Sequence, residues 1–184
     1  MDITEKTDDT SVQLEIKKIR ENASLPFYAN PGDAGMDIVA AEDLLLQPEE
    51  SGLVATGLIL NIPIGYEVEI RPRSGLSLKT RIRLPNAPGT IDSGFKDELM
   101  ILVYNASPHS SSYGTDAKIR QLDLNETDNR AGAYLIKAGD RVCQMLLKKV
   151  EHANTMFVEE FSADNGIDRG GGFGSSGVSL KEDL

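Results

Sequence analysis

Five short segments carry residue types that can bind phosphate, read a heterocycle edge or activate water. In Arg71-Pro72-Arg73-Ser74-Gly75-Leu76, Arg offers a planar fork of donors to phosphate oxygens, Ser74 adds a hydroxyl, and Gly75 lets backbone N–H groups approach an anion. A solvated basic turn is the competing reading. The segment from Asn86 to Met100 has the look of a β-hairpin with Asp92 on it. Such a hairpin can present backbone donors and acceptors to the edge of a base, with Asn86 adding an amide, Phe95 packing on a sugar and Asp92 acting as general base. Asp92 as an ordinary turn cap stands beside that reading. In Gly139-Asp140-Arg141-Val142-Cys143-Gln144, Gln144 can reach a phosphate or satisfy buried backbone, and Asp140 with Arg141 reads as a structural ion pair at a strand start. Ala34-Gly35-Met36-Asp37-Ile38 reads equally as a turn entering a strand or as a functional carboxylate. The stretch Arg169-Gly170-Gly171-Gly172-Phe173-Gly174-Ser175-Ser176-Gly177 lacks the Gly-Lys-Ser/Thr ending of a Walker loop. Its embedded Arg169 and Phe173 suit a terminal phosphate and a base face better than a bare linker does.

The elements that must position these groups are short strands. Val12–Ile16 and Tyr66–Arg71 alternate apolar and polar residues, Leu99–Tyr104 is a continuous apolar run, and Thr155–Phe161 is β-prone. Pro31-Gly32-Asp33, Pro63-Ile64-Gly65, Asn86-Ala87-Pro88-Gly89 and Ala138-Gly139-Asp140 are turn signals between them. No long helical periodicity occurs, and one short helix is expected around 75–79. The pattern predicts an all-β sandwich or barrel. Residues 1–11 read as a mobile tail, 12–161 as one β-barrel domain, 106–137 as a long loop within it, and 162–184 as a flexible arm.

Composition narrows the function. The 184 residues include 29 acidic and 19 basic side chains, a net charge of −10, which argues against a nucleic-acid binder but leaves room for a locally basic nucleotide pocket. The single cysteine, Cys143, lies in an apolar run and reads as a packed residue, not a nucleophile. His109 and His152 have no metal-ligand spacing around them. No apolar stretch approaches the roughly 20 residues of a membrane span, and the acidic start has no signal-peptide core, so a cytoplasmic, reduced compartment and no membrane partner are expected.

Taken together and in order, the five segments resemble the motifs of the trimeric dUTP diphosphatase (dUTPase) family, over residues 12–176 without the 106–137 stretch. The resemblance implies a jelly-roll-like β-barrel of the β-clip type, a homotrimer with C-terminal arm exchange, and active sites built from more than one subunit. It implies hydrolysis of dUTP to dUMP and pyrophosphate, keeping uracil out of DNA and supplying dUMP for dTMP synthesis. By position, Asp92 is then the base that activates water for attack on the α-phosphorus. Mg²⁺ is held by the substrate phosphates, with no direct protein ligand and Asp37 in contact only through water. Arg73, Ser74, Gly75 and Gln144 hold phosphates. Asn86 and the backbone at Gly89, Thr90, Ile91 and Met100 read uracil, and Phe95 packs on deoxyribose. Arg169 clamps the γ-phosphate, Phe173 stacks on the base, and Gly174 and Ser175 complete a lid.

Three features depart from the family pattern. Phe95 stands where the family often has Tyr, Asp97 replaces a common Gly, and the 33 residues between Asn105 and Gly139 exceed the usual length. An insertion of about 20 residues there costs little extra loop-closure entropy. Two other functions are compatible with the same fold: a dCTP deaminase, disfavoured by the Arg-Ser-Gly-Leu segment and the Gly-rich lid, and a regulatory protein-binding role through the 106–137 insertion.

Overall fold

A computed structural model describes residues 11–108, 120–121, 132–162 and 166. Within 1–151, a first compact unit, twelve strands are present among the described residues together with one helical turn and a half. They are β1 (Glu15–Lys18), β2 (Met36–Val39), β3 (Leu44–Leu46), β4 (Ser51–Ala55), β5 (Leu58–Asn61), β6 (Tyr66–Pro72), α1 (Ser74–Lys79), β7 (Ile82–Arg83), β8 (Gly89–Asp92), β9 (Met100–Asn105), β10 (Arg120–Gln121), β11 (Tyr134–Ile136) and β12 (Arg141–Lys149). The strands pair in the orders β1-β5, β10-β11-β3, β2-β12-β6-β8 and β4-β9-β7. Every pairing is antiparallel except β10 with β11. Many short antiparallel strands closing round one core produce the jelly-roll barrel expected from the alternating runs and their turns.

The four-stranded sheet positions the chemistry. Side chains on neighbouring strands at paired positions share a face, and the face alternates residue by residue. One set, with Val68, Ile70, Met145 and Cys143, is buried in the hydrophobic core. Cys143 is fully buried, and burial pushes its thiol pKa up, so it packs and does not react. The opposite face carries three polar rows: Asp92–Glu67–Lys148, Thr90–Glu69–Leu146, and Arg71–Gln144–Asp37. The clean alternation of Tyr66–Arg71 is therefore the sequence trace of a sheet with one apolar and one polar side.

Several expectations need correction. The first strand begins at Glu15, not Val12. The Asn86–Met100 segment is not a two-stranded hairpin: β8 pairs with β6, whereas β9 pairs with β4 and β7, so the segment is a corner passing from one sheet to another. The stretch read as a loop over 106–137 ends inside the barrel, because Ala133, Tyr134 and Ile136 are buried and β11 pairs with β3. The apolar run Ala133–Ile136 held that signal, overshadowed by the polar residues before it. Most of the remaining stretch, with His109, lies outside the described residues. The second compact unit comprises 152–184. Its described part, 152–162 and 166, contains no strand, so the β-prone run Thr155–Phe161 is not one; Met156, Phe157, Val158 and Phe161 are exposed there. His152 is exposed as well.

Candidate active site

Asp37 is the organising residue at one end of the polar face. Its backbone bridges to Phe27 and pairs with β12, which buries the carboxylate to 3% exposure. The Arg73 Nε donates to its Oδ1 at 3.0 Å, and Arg141 Nη1 donates to its Oδ2 at 3.0 Å. Gln144 Nε2 lies 3.5 Å from the same Oδ1, and Arg73 Nη1 donates to the Arg141 carbonyl at 3.3 Å. A buried carboxylate thus fixes two guanidiniums and an amide side by side, charge-assisted on both oxygens. Arg141, expected to pair with its neighbour Asp140, reaches Asp37 instead, and Asp140 accepts from the Lys137 backbone amide at 2.9 Å in the turn before β12.

These side chains line a cleft of about 460 Å³ with Arg71, Asn30, Asp33, Gly35 and Leu146. Gly35 allows a close approach there: a Cβ would lie 3.2 Å from the Gln144 Cβ, a tight contact to which Gln144 would have to give by a few tenths of an ångström. Ser74 and Gly75 follow directly, opening α1 with Arg73 as the residue before it. A Cβ on Gly75 would meet nothing within 4 Å, so packing within the chain does not explain this glycine.

The other candidates gather on β8, the edge strand, and the corner after it. Asp92 and Thr90 are exposed, and Asp92 makes no side-chain hydrogen bond or ion pair among the described residues. The Phe95 N–H donates to the Asp92 carbonyl at 3.0 Å, closing a turn through Ser93 and Gly94, and Phe95 as a whole is 39% exposed. Asn86 packs its amide on Gly89, where a Cβ would lie 3.2 Å from its Nδ2. Ile91 is half-buried beneath β8, and Met100 opens β9. Arg169, Phe173, Gly174 and Ser175 lie outside the described residues.

One chain does not bring the two groups together. The rows of Asp92 and Gln144 are four residues apart along β6 and two strands apart across the sheet. At about 3.4 Å per residue and 4.8 Å per strand, that separation is roughly 17 Å. Between them lies a network the sequence reading missed. Glu69, 8% exposed, accepts from Lys148 Nζ at 2.8 Å and from the Arg71 guanidinium. Lys148 first and Arg71 second hold the Glu69 carboxyl below its ordinary range. The signal was present: Glu67, Glu69 and Arg71 recur with period two on one side of β6.

The donor set offers no direct metal site, since both Asp37 oxygens are occupied by cations and no cluster of three potential ligands occurs among the described residues. This donor set suits a cation that arrives on an anionic ligand.

An all-β jelly roll with a guanidinium-lined cleft and a free carboxylate on the same sheet face defines a protein built to bind a small polyanion. A family model described as dUTPase matches residues 21–131. The deoxyuridine 5'-triphosphate nucleotidohydrolase of Zymomonas mobilis is 41% identical over 169 residues, covering 91% of this chain and 99% of that protein. That of Solibacter usitatus is 39% identical over 170 residues, with 91% and 98% covered. Among solved structures, a dUTPase variant of Staphylococcus bacteriophage 80alpha with dUpNHpp has a TM-score of 0.78 at 32% identity, covering 91% of this chain and all of that one. A dUTPase variant of phage phi11 of S. aureus, described with a structural Mg(II) ion, has a TM-score of 0.72 at 31% identity, with 83% and 100% covered. This chain belongs to the dUTPase family. The dCTP deaminase reading is not favoured by these relatives.

Proposed function

We propose that this protein hydrolyses dUTP to dUMP and pyrophosphate, in a site assembled from neighbouring copies of the chain. The observation that carries the proposal is that one sheet face presents both the Asp37-organised cleft and, at its other end, an exposed Asp92 without a side-chain partner among the described residues. The phosphates lie on Arg73, Ser74, Gly75 and Gln144, with Arg141 beside them. Each guanidinium has five N–H donors, more than the Asp37 carboxylate engages. The uracil edge meets Asn86 and the backbone at Gly89, Thr90, Ile91 and Met100, and Phe95 covers the deoxyribose. A cytosine amino group would place a donor where uracil has a carbonyl, leaving buried groups unpaired.

In the chemical step, Asp92 takes a proton from water as the water oxygen bonds to the α-phosphorus, and the bond from that phosphorus to the α–β bridging oxygen breaks. Pyrophosphate leaves with the bonding pair, and dUMP remains. Mg²⁺ carried on the triphosphate supplies charge neutralisation of the leaving group. Arg169 on the γ-phosphate, Phe173 over the base, and Gly174 with Ser175 close the site as a lid from the arm at 162–184. Deoxynucleotide clearance of this kind suits a cytoplasmic setting, where the reduced state of the buried Cys143 is undisturbed. No helix among the described residues is long and apolar enough to cross a membrane.

The roughly 17 Å between Asp92 and Gln144 in one chain is the reason for placing the halves of the site on different copies, in a homotrimer. Pyrophosphate release from dUTP but not dCTP, dependent on Mg²⁺, tests the reaction. Mixing refolded Asp92→Asn and Arg73→Ala chains tests the sharing: regained activity supports it, and a mixture as inactive as its components sinks it. Sedimentation gives the copy number.

A further inference from the structure

The corner between β8 and β9 joins the Asp92 end of the site to the Met100 backbone, yet residues 93–99 belong to no strand. What holds them lies outside the site. Glu98, its side chain 14% exposed, receives a two-pronged ion pair from Arg20: Nε to Oε1 at 2.7 Å and Nη2 to Oε2 at 2.7 Å. The Gly57 N–H donates to the same Oε1 at 2.8 Å. The Leu99 N–H then donates to the Leu58 carbonyl at 2.8 Å, and the Thr56 hydroxyl donates to the Leu99 carbonyl at 2.6 Å. Two residues before Glu98, Lys96 Nζ donates to Asn61 Oδ1 at 2.9 Å, and Asn61 Nδ2 donates to Glu15 at 2.7 Å. Every tether runs to β1, β5 or the residues flanking them.

The fit around Arg20 is tight. Gly57 has φ +70°, and a Cβ there would lie 2.6 Å from the Ala23 Cβ and 2.8 Å from the Arg20 Cβ. The third arm of the guanidinium, Nη1, bonds to Glu42. Arg20 is thus seated by the backbone beneath it and directed by two carboxylates, and its planar fork matches Glu98 in a way an ammonium cannot.

We propose that Arg20 and Glu98 are positioning residues for substrate recognition: their bidentate pair sets the path of the chain from Asp92 to Met100 before the nucleotide arrives. This rests on the reading of Asn86–Met100 as the base-binding segment. Neither residue touches substrate. They act by holding backbone donors and acceptors in register, where a displacement of an ångström is enough to matter. A role confined to folding would lower stability without changing what the folded protein recognises.

The test uses Glu98→Gln, which keeps an oxygen for the Gly57 amide, and Arg20→Lys, which keeps the charge and loses the fork. Steady-state kinetics with dUTP and dCTP are combined with amide hydrogen exchange of residues 91–100 in the unliganded protein. We expect Glu98→Gln to raise KM for dUTP about tenfold, with kcat within about threefold, and to reduce the preference for dUTP over dCTP. Exchange at Phe95 and Leu99 should quicken, and Arg20→Lys should fall between wild type and Glu98→Gln. Unchanged KM and exchange in Glu98→Gln, with only a lower melting temperature, overturns the inference and leaves the proposed reaction standing. A wild-type chain that does not cleave dUTP sinks the reaction instead, and the exchange measurement then decides alone whether the pair sets the corner.

Discussion

The two ends of the polar sheet face are built on opposite principles. At the Asp37 end, a buried carboxylate is paired with two arginines, and the cleft's shape is determined by side chains bonding one another. At the Asp92 end, the carboxylate is exposed and without a side-chain partner among the described residues, and the corner that carries it is held from outside by Arg20 and Glu98. The difference matches the roles proposed for the two ends. A phosphate cradle presents a fixed positive field, and rigid pairing to a buried anion provides that. A general base must be free to take a proton, so it cannot be spent on an ion pair.

The largest effect should come from breaking the Asp92 end. Asp92→Asn removes the proposed proton acceptor and leaves an isosteric side chain on an exposed edge strand. We expect kcat to fall about 10²- to 10⁴-fold. KM and thermal stability should hardly move. Single-turnover kinetics with a separate binding titration check this, and wild-type turnover in the variant would remove Asp92 from the mechanism.

The mirror-image change at the other end has a different signature. Asp37→Ala leaves the half-buried Arg73 without its anion, and should cost about 3 kcal/mol of stability as well as weaken nucleotide binding. Chemical denaturation and the KM for dUTP, measured on the same preparation, show whether both fall together. A variant that binds worse at unchanged stability would mean that the cleft is not organised by this carboxylate.

Much of this contrast was legible in the sequence, for physical reasons that differ by residue. The alternation of Tyr66–Arg71 reported a sheet with one wet face, and Cys143 in its apolar run reported burial. Arg73, Gln144 and Asp37 could be named as candidates from their types. Their convergence could not, because the residues lie far apart in the chain and only the pairing of β12 with both β2 and β6 makes them neighbours. The Arg20–Glu98 pair spans 78 residues and has no local pattern. Thr155–Phe161 shows the reverse failure: residue types suited to a strand do not form one without a partner edge. Tyr134 was missed because an apolar run of four is short against the polar stretch preceding it.

Gly57→Ala probes the outside brace through the backbone. A residue with a side chain is strained at φ +70°, and the added methyl would press on Ala23 and Arg20 at under 3 Å. A loss of about 2 kcal/mol is expected from strain and overpacking together. It should appear as a lower denaturation midpoint and, unlike Asp37→Ala, as faster amide exchange across residues 91–100. Exchange confined to other parts of the barrel would separate the brace from the corner.

The smallest expected effect is the response to acid, and it distinguishes two carboxylates outside the chemistry. Glu98 is held below its ordinary value of 4.5 chiefly by Arg20, and Glu69 chiefly by Lys148 and then Arg71. A carboxyl whose pKa is lower in the folded chain adds stability above its unfolded value and loses it as pH falls through the folded one. Stability should therefore be level above pH 4.5 and decline below it, as far as these groups govern it. Salt should separate the two. Both carboxylates are well shielded, Glu69 at 10% exposure and Glu98 at 14%, but the cations on Glu69 are 42% and 47% exposed against 33% for Arg20, so added salt should blunt the Glu69 contribution more. Urea titrations of wild type, Glu69→Gln and Glu98→Gln at neutral pH and below 4.5, each at low and high salt, resolve them. If the Glu98→Gln chain declines in acid as steeply as wild type at high salt, where the Glu69 contribution is blunted, the Arg20–Glu98 pair is not the electrostatic support that the geometry describes.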